Sequence, residues 1–506
     1  MNETETPIYD IAIIGGGING CGIARDAAGR GLKVFLAEQG DLAQGTSSAS
    51  TKLIHGGLRY LEHYEFSLVR ESLTEREVLW KMAPHIIRPL RFILPHHNAL
   101  RPAWLLRLGL FVYDHIGGRK KLPATKTIDL TNDRAGTPLV NEFRKGFEYS
   151  DCWVDDARLV VLNAIDAKQR GADIYTRTQC ITARRENNTW QVTLRDVETD
   201  RTSTIKARSL VNAAGPWVDE LLDKTELKPI EQTNVRLVRG SHIIVPKIYQ
   251  HDRAYIFQNA DNRIIFAIPY EQNFTLLGTT DADHGDNLDQ VKISEDEIQY
   301  ICDAASVYFK HPINPDRVVW TYSGVRPLYD DGASTAQEAT RDYVLNIEDK
   351  HDKAPLLNIF GGKITTYRHL AEDALQKLSP YLNSHETEWT ADSQLPGGDF
   401  EIDEFEAMTR KLQDDYPFVE QEWATSLIRR YGTRAWKMLG GAKTLEDLGQ
   451  NFGATLTKAE ALFLICDEWA KSAEDILWRR SKIGLHMTQQ QRDEFTHWFD
   501  ERMAGK

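Results

Sequence analysis

The feature that most constrains this chain is its first 40 residues. The run Ile11-Ala12-Ile13-Ile14 is short and apolar, and three glycines follow it at once. Gly15, Gly17 and Gly20 form G-x-G-x-x-G, a helical stretch covers Ile18 to Gly29, and a second apolar run covers Lys33 to Ala37. Glu38 closes that second run, 18 residues after Gly20. Strand, turn, helix, strand and acid in this register predict a dinucleotide-binding βαβ unit. The first glycine permits the tight turn, the second lets a phosphate approach the backbone, and the third lets helix and strand pack closely. The helix N-terminus presents N–H groups and a positive dipole end to a pyrophosphate, and the carboxylate suits ribose hydroxyls. FAD and NAD both use this unit, so the fingerprint alone leaves the choice open.

Length and charge bound the rest. The 506 residues leave room for about three domains. Hydrophobic residues are 41% and charged residues 27%, as in a soluble globular protein, which excludes collagen-like, disordered and disulfide-framework classes. A net charge of −13 argues against a nucleic-acid binder, which needs a basic face. The five cysteines are scattered and include no CxxC pair, so neither a disulfide framework nor a metal site is expected. The polar start MNETETPIYD is unlike a signal peptide, and no stretch reaches the roughly 18 apolar residues of a membrane span. The expectation is a cytoplasmic protein, or one attached to the cytoplasmic face of a membrane.

Along the chain, residues 58–82 suggest an amphipathic helix or helix pair, and residues 174–215 suggest strands around the turn-like Glu186-Asn187-Asn188. Three more strand-like runs lie in 235–280, and Leu356 to Phe360 is a strand ending at Gly361-Gly362. Near residue 380 the character changes. A polar Gly- and Pro-containing segment, 381–398, looks like a linker. Beyond it the pattern is helical and holds five of the twelve tryptophans, with a sixth, Trp389, in the linker, so 399–506 is expected to be a folded helical domain.

The polar, Gly- and Ser-rich stretch DLAQGTSSASTKLIHGGLRYLEHYEF after Glu38 favours FAD. With GFEYSDCWVDDARLV, LVNAAGPWVDEL, RLVRGSHIIVP, LLGTTDAD, VWTYSGVRPL and FGGKITTYRHLAEDAL, in order along the chain, it resembles the aerobic FAD-dependent glycerol-3-phosphate dehydrogenases of the D-amino-acid-oxidase-like superfamily. Cys21 is a mild departure, since the family often has a small residue there. The resemblance implies an α/β fold over 8–380. Its Rossmann-like FAD-binding domain is built from about 8–90, 145–235 and 340–380. It is interleaved with a β-rich α+β substrate domain, mainly 91–144 and 236–339, and the helical C-terminal domain follows. It implies oxidation of sn-glycerol 3-phosphate to dihydroxyacetone phosphate, with hydride from C2 to FAD and electrons passed to a membrane quinone. An oxidase that makes hydrogen peroxide from oxygen is the alternative.

That chemistry needs cations for a phosphate and an acceptor for the hydroxyl proton. Arg59, Arg326 and Lys363 lie in glycine-flanked turns and are the expected phosphate ligands, with Tyr60 adding a hydrogen bond. Lys363 is open to a second role, stabilising charge on the reduced flavin. His242 is the preferred proton acceptor and His55, in the flavin loop, the runner-up. Expected FAD contacts are Gly15, Gly17, Gly20, Glu38, Thr46, Ser47, Ser48, Lys52, Asn212, Ala213, Gly215, Gly361, Gly362, Lys363 and Thr365. The segment ALRPAWLLRLGLFVYDHI (99–116) is apolar, flanked by basic residues and too short to span a bilayer. It suits an interfacial helix with Trp104 and Tyr113 at headgroup level, although a core or homodimer helix has the same pattern.

Overall fold

A computed structural model describes residues 7–505 except 98–99, 225–234, 260, 262, 286, 331–341, 350–353 and 383–386. Parts of the expected linker and of several domain segments therefore lie outside the described residues. Two sheets organise residues 8–361. The first runs in the order Tyr343–Glu348, Leu356–Gly361, Thr202–Asn212, Ile8–Ile14, Val34–Ala37, Asp173–Tyr175. All neighbours are parallel except the antiparallel edge strand Tyr343–Glu348. Residues 11–14, Val34–Ala37 and Leu356–Gly361 are mainly apolar runs because both faces of the sheet are covered there. Helices Ile18–Gly29, Asp156–Gln169 and Tyr367–Leu378 pack on one face, and a hairpin, Thr178–Glu186 with Thr189–Asp196, adds to the opposite side through Trp190 and Val192. Asn187 and Asn188 take φ of 48° and 56°, the two-residue turn that matches the twist of a hairpin.

Among the described residues the second sheet has ten strands, and it carries Val235–Pro246, paired with Phe274–Gly278 on one side and Trp320–Tyr329 on the other. One expected boundary moves. Lys145–Val154, assigned above to the FAD-binding segment 145–235, pairs with Ile87–His96 over ten residues in this second sheet. Its alternation of types does not say which sheet it joins, because either environment buries it.

The C-terminal part has its own core around Leu412, Leu427, Tyr431, Leu464 and Phe495. The stretch from Lys458, continuous in sequence pattern, is broken in space. Helix Lys458–Asp467 stops, Trp469 turns at φ 57°, and a π-helical turn follows over Asp475–Arg480. The break lets Glu468 turn inward onto Arg158. The described part of the polar stretch before this domain, 387–398, is packed on the expected FAD-binding layer. Trp389 packs on Gly29, the Ser393 carbonyl accepts from Arg25, and Leu395 is buried.

In helix Ala103–Ile116, Leu110 and Tyr113 are buried, while Trp104 is 69% and Leu108 and Phe111 each 51% exposed. Tyr113 is therefore not an interfacial residue. Its hydroxyl donates to Asp151 and accepts from the Gly56 N–H, 2.9 Å in each case, tying the helix to the loop of His55. Among the described residues no helix is long and apolar enough to cross a membrane.

Candidate active site

The two sheets and the C-terminal domain enclose a cavity of about 1040 Å³, at the upper end for a small-molecule site and roomy enough for a dinucleotide. One wall is the βαβ turn. Gly15 has φ 117°, and a Cβ there would lie 2.3 Å from the Ala213 carbonyl, so only glycine fits. Gly20 is buried, and a Cβ on it would reach the Gly15 carbonyl at 1.9 Å. Gly17 caps helix Ile18–Gly29 with no side-chain bond, which leaves the helix end to a ligand. Ser47 accepts from the Ile18 N–H at 3.0 Å and holds the next loop against that end. Asn19 lines the cavity, and its side-chain oxygen is buried without a hydrogen-bond partner.

Glu38 lines the cavity as well. Its two oxygens accept from the N–H groups of Gly16 (2.6 Å) and Gly40 (2.7 Å), which fixes the carboxyl and leaves lone pairs for ribose hydroxyls. Burial pushes its pKa up against those two bonds. Thr46 donates to the Val325 carbonyl and bridges the loop to the second sheet. Ala213, Gly215 (φ 58°), Gly361 (φ 72°), Gly362 (φ 95°) and Thr365 complete the walls. An orphaned oxygen, an uncapped helix end and a pinned carboxylate fit the pyrophosphate and ribose parts of a dinucleotide.

Four expected contacts lie behind the walls and not on them. Lys52 is buried; its Nζ bonds both oxygens of Asp156 (2.7 and 2.9 Å) and the Ser48 carbonyl (2.8 Å), and it lies over the Tyr322 ring. It locks the loop, and the Ser48 carbonyl is spent on it. Asn212 is buried, donates to the Val218 carbonyl at 2.9 Å and shapes the turn that carries Ala213 and Gly215. Gly20 acts through packing alone. In each case the pattern reported a role in building the site, which sequence does not distinguish from contact.

Around the rest of the cavity stand His55, Tyr60, Arg326 and Lys363. Arg326 pairs with Asp281 and donates to Thr279 at 3.2 Å. Lys363 Nζ sits 3.9 Å from the centre of the Tyr60 ring. The His55 N–H donates to Thr365 Oγ1 at 3.3 Å. Burial, then the charges of Lys363 and Arg76, hold the His55 imidazole down to about 3, so it is neutral at physiological pH. Arg59 is half-buried on the 3₁₀ turn Leu58–His63 and does not line the cavity. The preferred acceptor His242 does not line it either. It is buried, stacked on Tyr322, with Nε2 3.0 Å from Thr51 Oγ1, and it is Thr51 that faces the cavity. Burial, Lys52 and Arg326 hold it well below the usual histidine range. A strand-borne histidine has two possible faces, and the sequence did not choose between them. Sequence reasoning missed Asn19, Trp217 and Arg177, and also Glu474 and Arg479 from the C-terminal domain. Trp217 lies inside a quoted motif and was within reach. Arg479 carried no signal, being more than 400 residues from the fingerprint.

A cavity built on a βαβ turn between a parallel sheet and a second β-rich layer defines a dinucleotide-dependent oxidoreductase. The chain belongs to the FAD dependent oxidoreductase family, whose model matches residues 10–368, and the C-terminal domain of alpha-glycerophosphate oxidase matches residues 389–500. FAD is thus its cofactor. The chain is 52% identical over 500 residues to a D-erythritol 1-phosphate dehydrogenase of Brucella abortus, covering 99% of both chains. It is 50% identical over 492 residues to the aerobic glycerol-3-phosphate dehydrogenase of Escherichia coli, covering 97% of both. A solved glycerol-3-phosphate dehydrogenase from Bacillus halodurans complexed with FAD superposes with a TM-score of 0.79 at 25% identity, over 100% of this chain and 92% of that one.

Proposed function

We propose that this flavoprotein oxidises sn-glycerol 3-phosphate to dihydroxyacetone phosphate and passes the electrons to a membrane quinone. The observation that carries the reading is the gathering of two cations, Arg326 and Lys363, with a neutral imidazole, His55, on the wall of the FAD cavity. When bound, FAD supplies the acceptor for the hydride from C2. Gly15, Gly17, Glu38, Ser47, Ala213, Gly215 and Gly361 to Thr365 hold it.

The protein's own groups do the rest. Arg326 and Lys363 hold the phosphate dianion, Arg326 by a planar fork and Lys363 as a point charge. Tyr60 lies beneath Lys363 and fixes its position. His55 accepts the hydroxyl proton at a ring nitrogen. Its low basicity belongs to the site without substrate. Burial is the larger cause of that low basicity; a dianion beside Lys363 offsets the smaller part that comes from the positive charges, so substrate binding shifts proton affinity upward where the proton must go. His242 acts through Thr51 as a positioning residue.

The Brucella relative favours a second substrate within the same class. D-erythritol 1-phosphate carries the same phosphomonoester with a secondary alcohol beside it, one carbon longer. The test is anaerobic flavin bleaching with each phosphate in turn. Bleaching by glycerol 3-phosphate at the lower concentration supports the reading, and bleaching by erythritol 1-phosphate alone replaces it. Bleaching by neither defeats both. The oxidase alternative is tested by peroxide yield against quinone reduction.

The route to a quinone rests on helix Ala103–Ile116. Trp104, Leu108 and Phe111 recur every three or four positions and form one exposed apolar row, with Arg101 near its start and Arg119 and Lys120 just past its end. Such a row suits peripheral attachment to the inner face of the cytoplasmic membrane.

A further inference from the structure

The helical C-terminal domain reaches the FAD cavity itself. Glu474 and Arg479, on or beside the π-helical turn Asp475–Arg480, line it together with Arg177. Arg177 belongs to the Glu38 end, where its N–H donates to the Gly40 carbonyl at 2.9 Å and the next residue's N–H donates to the Glu38 carbonyl at 2.8 Å. Two buried arginines of the C-terminal domain converge on one carboxylate of the loop that follows Glu38. Arg479 Nε lies 2.8 Å from Asp41, and Arg480 Nη1 and Nη2 lie 2.7 and 2.8 Å from its two oxygens. Asp41 is 1% exposed and Arg480 fully buried. Gln44, in the same loop, accepts from the Asp41 N–H (2.7 Å) and from Arg177 (3.1 Å), and Asp475 takes Arg177 from the other side at 3.0 Å.

Burying charges at a domain junction is costly unless every one is paired, and here the pairing is complete only with the C-terminal domain in place. The loop 39–45 therefore owes its position to residues more than 400 positions later. We propose that the C-terminal domain is a cofactor-retaining element. Through Arg479 and Arg480 on Asp41, and Asp475 on Arg177, it fixes the loop and closes the adenosine end of the FAD cavity. Its undocking opens that end. The inference rests on FAD being the cofactor and is independent of the substrate.

The test is flavin affinity, read by fluorescence on reconstituting the apoprotein. Arg479→Gln and Asp475→Asn each raise the FAD dissociation constant about tenfold or more, the range for losing a charged hydrogen bond. Affinity for FMN, which lacks the adenosine, does not change. Arg430→Gln removes a C-terminal contact to Glu460 away from the cavity, and it leaves both affinities alone even if the melting temperature falls. Parallel loss of FAD and FMN affinity, or no loss of either, overturns the proposal. A second measurement needs no variant. ADP added to the full-length apoprotein slows amide hydrogen exchange in residues 472–480, and the absence of that protection also overturns it.

Discussion

Arg326→Ala is the most informative single change. The side chain is 26% exposed and spends two of its five N–H groups on Asp281 and Thr279. About three remain for a phosphate. Two charge-assisted bonds at about 1.5–3 kcal/mol each sum to about 3–6 kcal/mol, or roughly 10²–10⁴-fold in kcat/KM. Partial exposure favours the lower half of that range, since water screens the pair. The single variant overstates the contact, because it leaves Asp281 facing the incoming dianion. Asp281→Asn in the same chain should therefore recover part of the loss. The assay is anaerobic flavin reduction in single turnover against substrate concentration. Glycerol serves as the internal control, for it has the alcohol but no phosphate, and its slow rate should be indifferent to Arg326. Equal losses on glycerol and glycerol 3-phosphate would refute the assignment, since the residue would then be supporting the fold or the flavin.

Three further outcomes are expected. His55→Asn should abolish flavin reduction at saturating substrate while FAD stays bound, whereas His242→Asn should leave a measurable rate; the reverse order restores His242 as the acceptor. Replacing Trp104, Leu108 and Phe111 together by Asp should release the protein from liposomes in a flotation assay with the flavin spectrum intact. Leu110 on the same helix is left unchanged, because it is 1% exposed and its replacement would damage the core. Glu468 is fully buried; burial raises its pKa, but Arg158 and Arg434 outweigh burial and hold it at about 2. A depressed carboxylate gives stability that is present above its unfolded value near 4.5 and is lost as pH falls towards 2, here up to about 3 kcal/mol. The gap in melting temperature between wild type and Glu468→Gln should narrow over that window. A constant gap would show that the buried pair does not titrate.

The sequence by itself determined what depends on neighbours along the chain. The βαβ turn, its glycines, Glu38 and the hairpin at Asn187-Asn188 are all fixed by local backbone geometry and short-range sterics, so their patterns were legible. The turn at Lys363 was legible because Gly361-Gly362 marks an irregular backbone, whereas the turn expected at Arg326 is absent: Arg326 sits in the regular strand Trp320–Tyr329, paired with Val238, and its neighbours Gly324 and Pro327 are accommodated in the pairing. The tertiary structure decided which face each side chain presents and which distant element meets it. It put His242 behind Thr51 and His55 on the cavity, made Lys52 an anchor for Asp156, and moved Lys145–Val154 into the second sheet. It also brought Arg479 and Arg480 to Asp41. The physical reason is common to all of these. A strand or helix pattern records that a residue is buried, but the partner that satisfies a buried charge is chosen by packing between elements, and that leaves no periodicity in the chain.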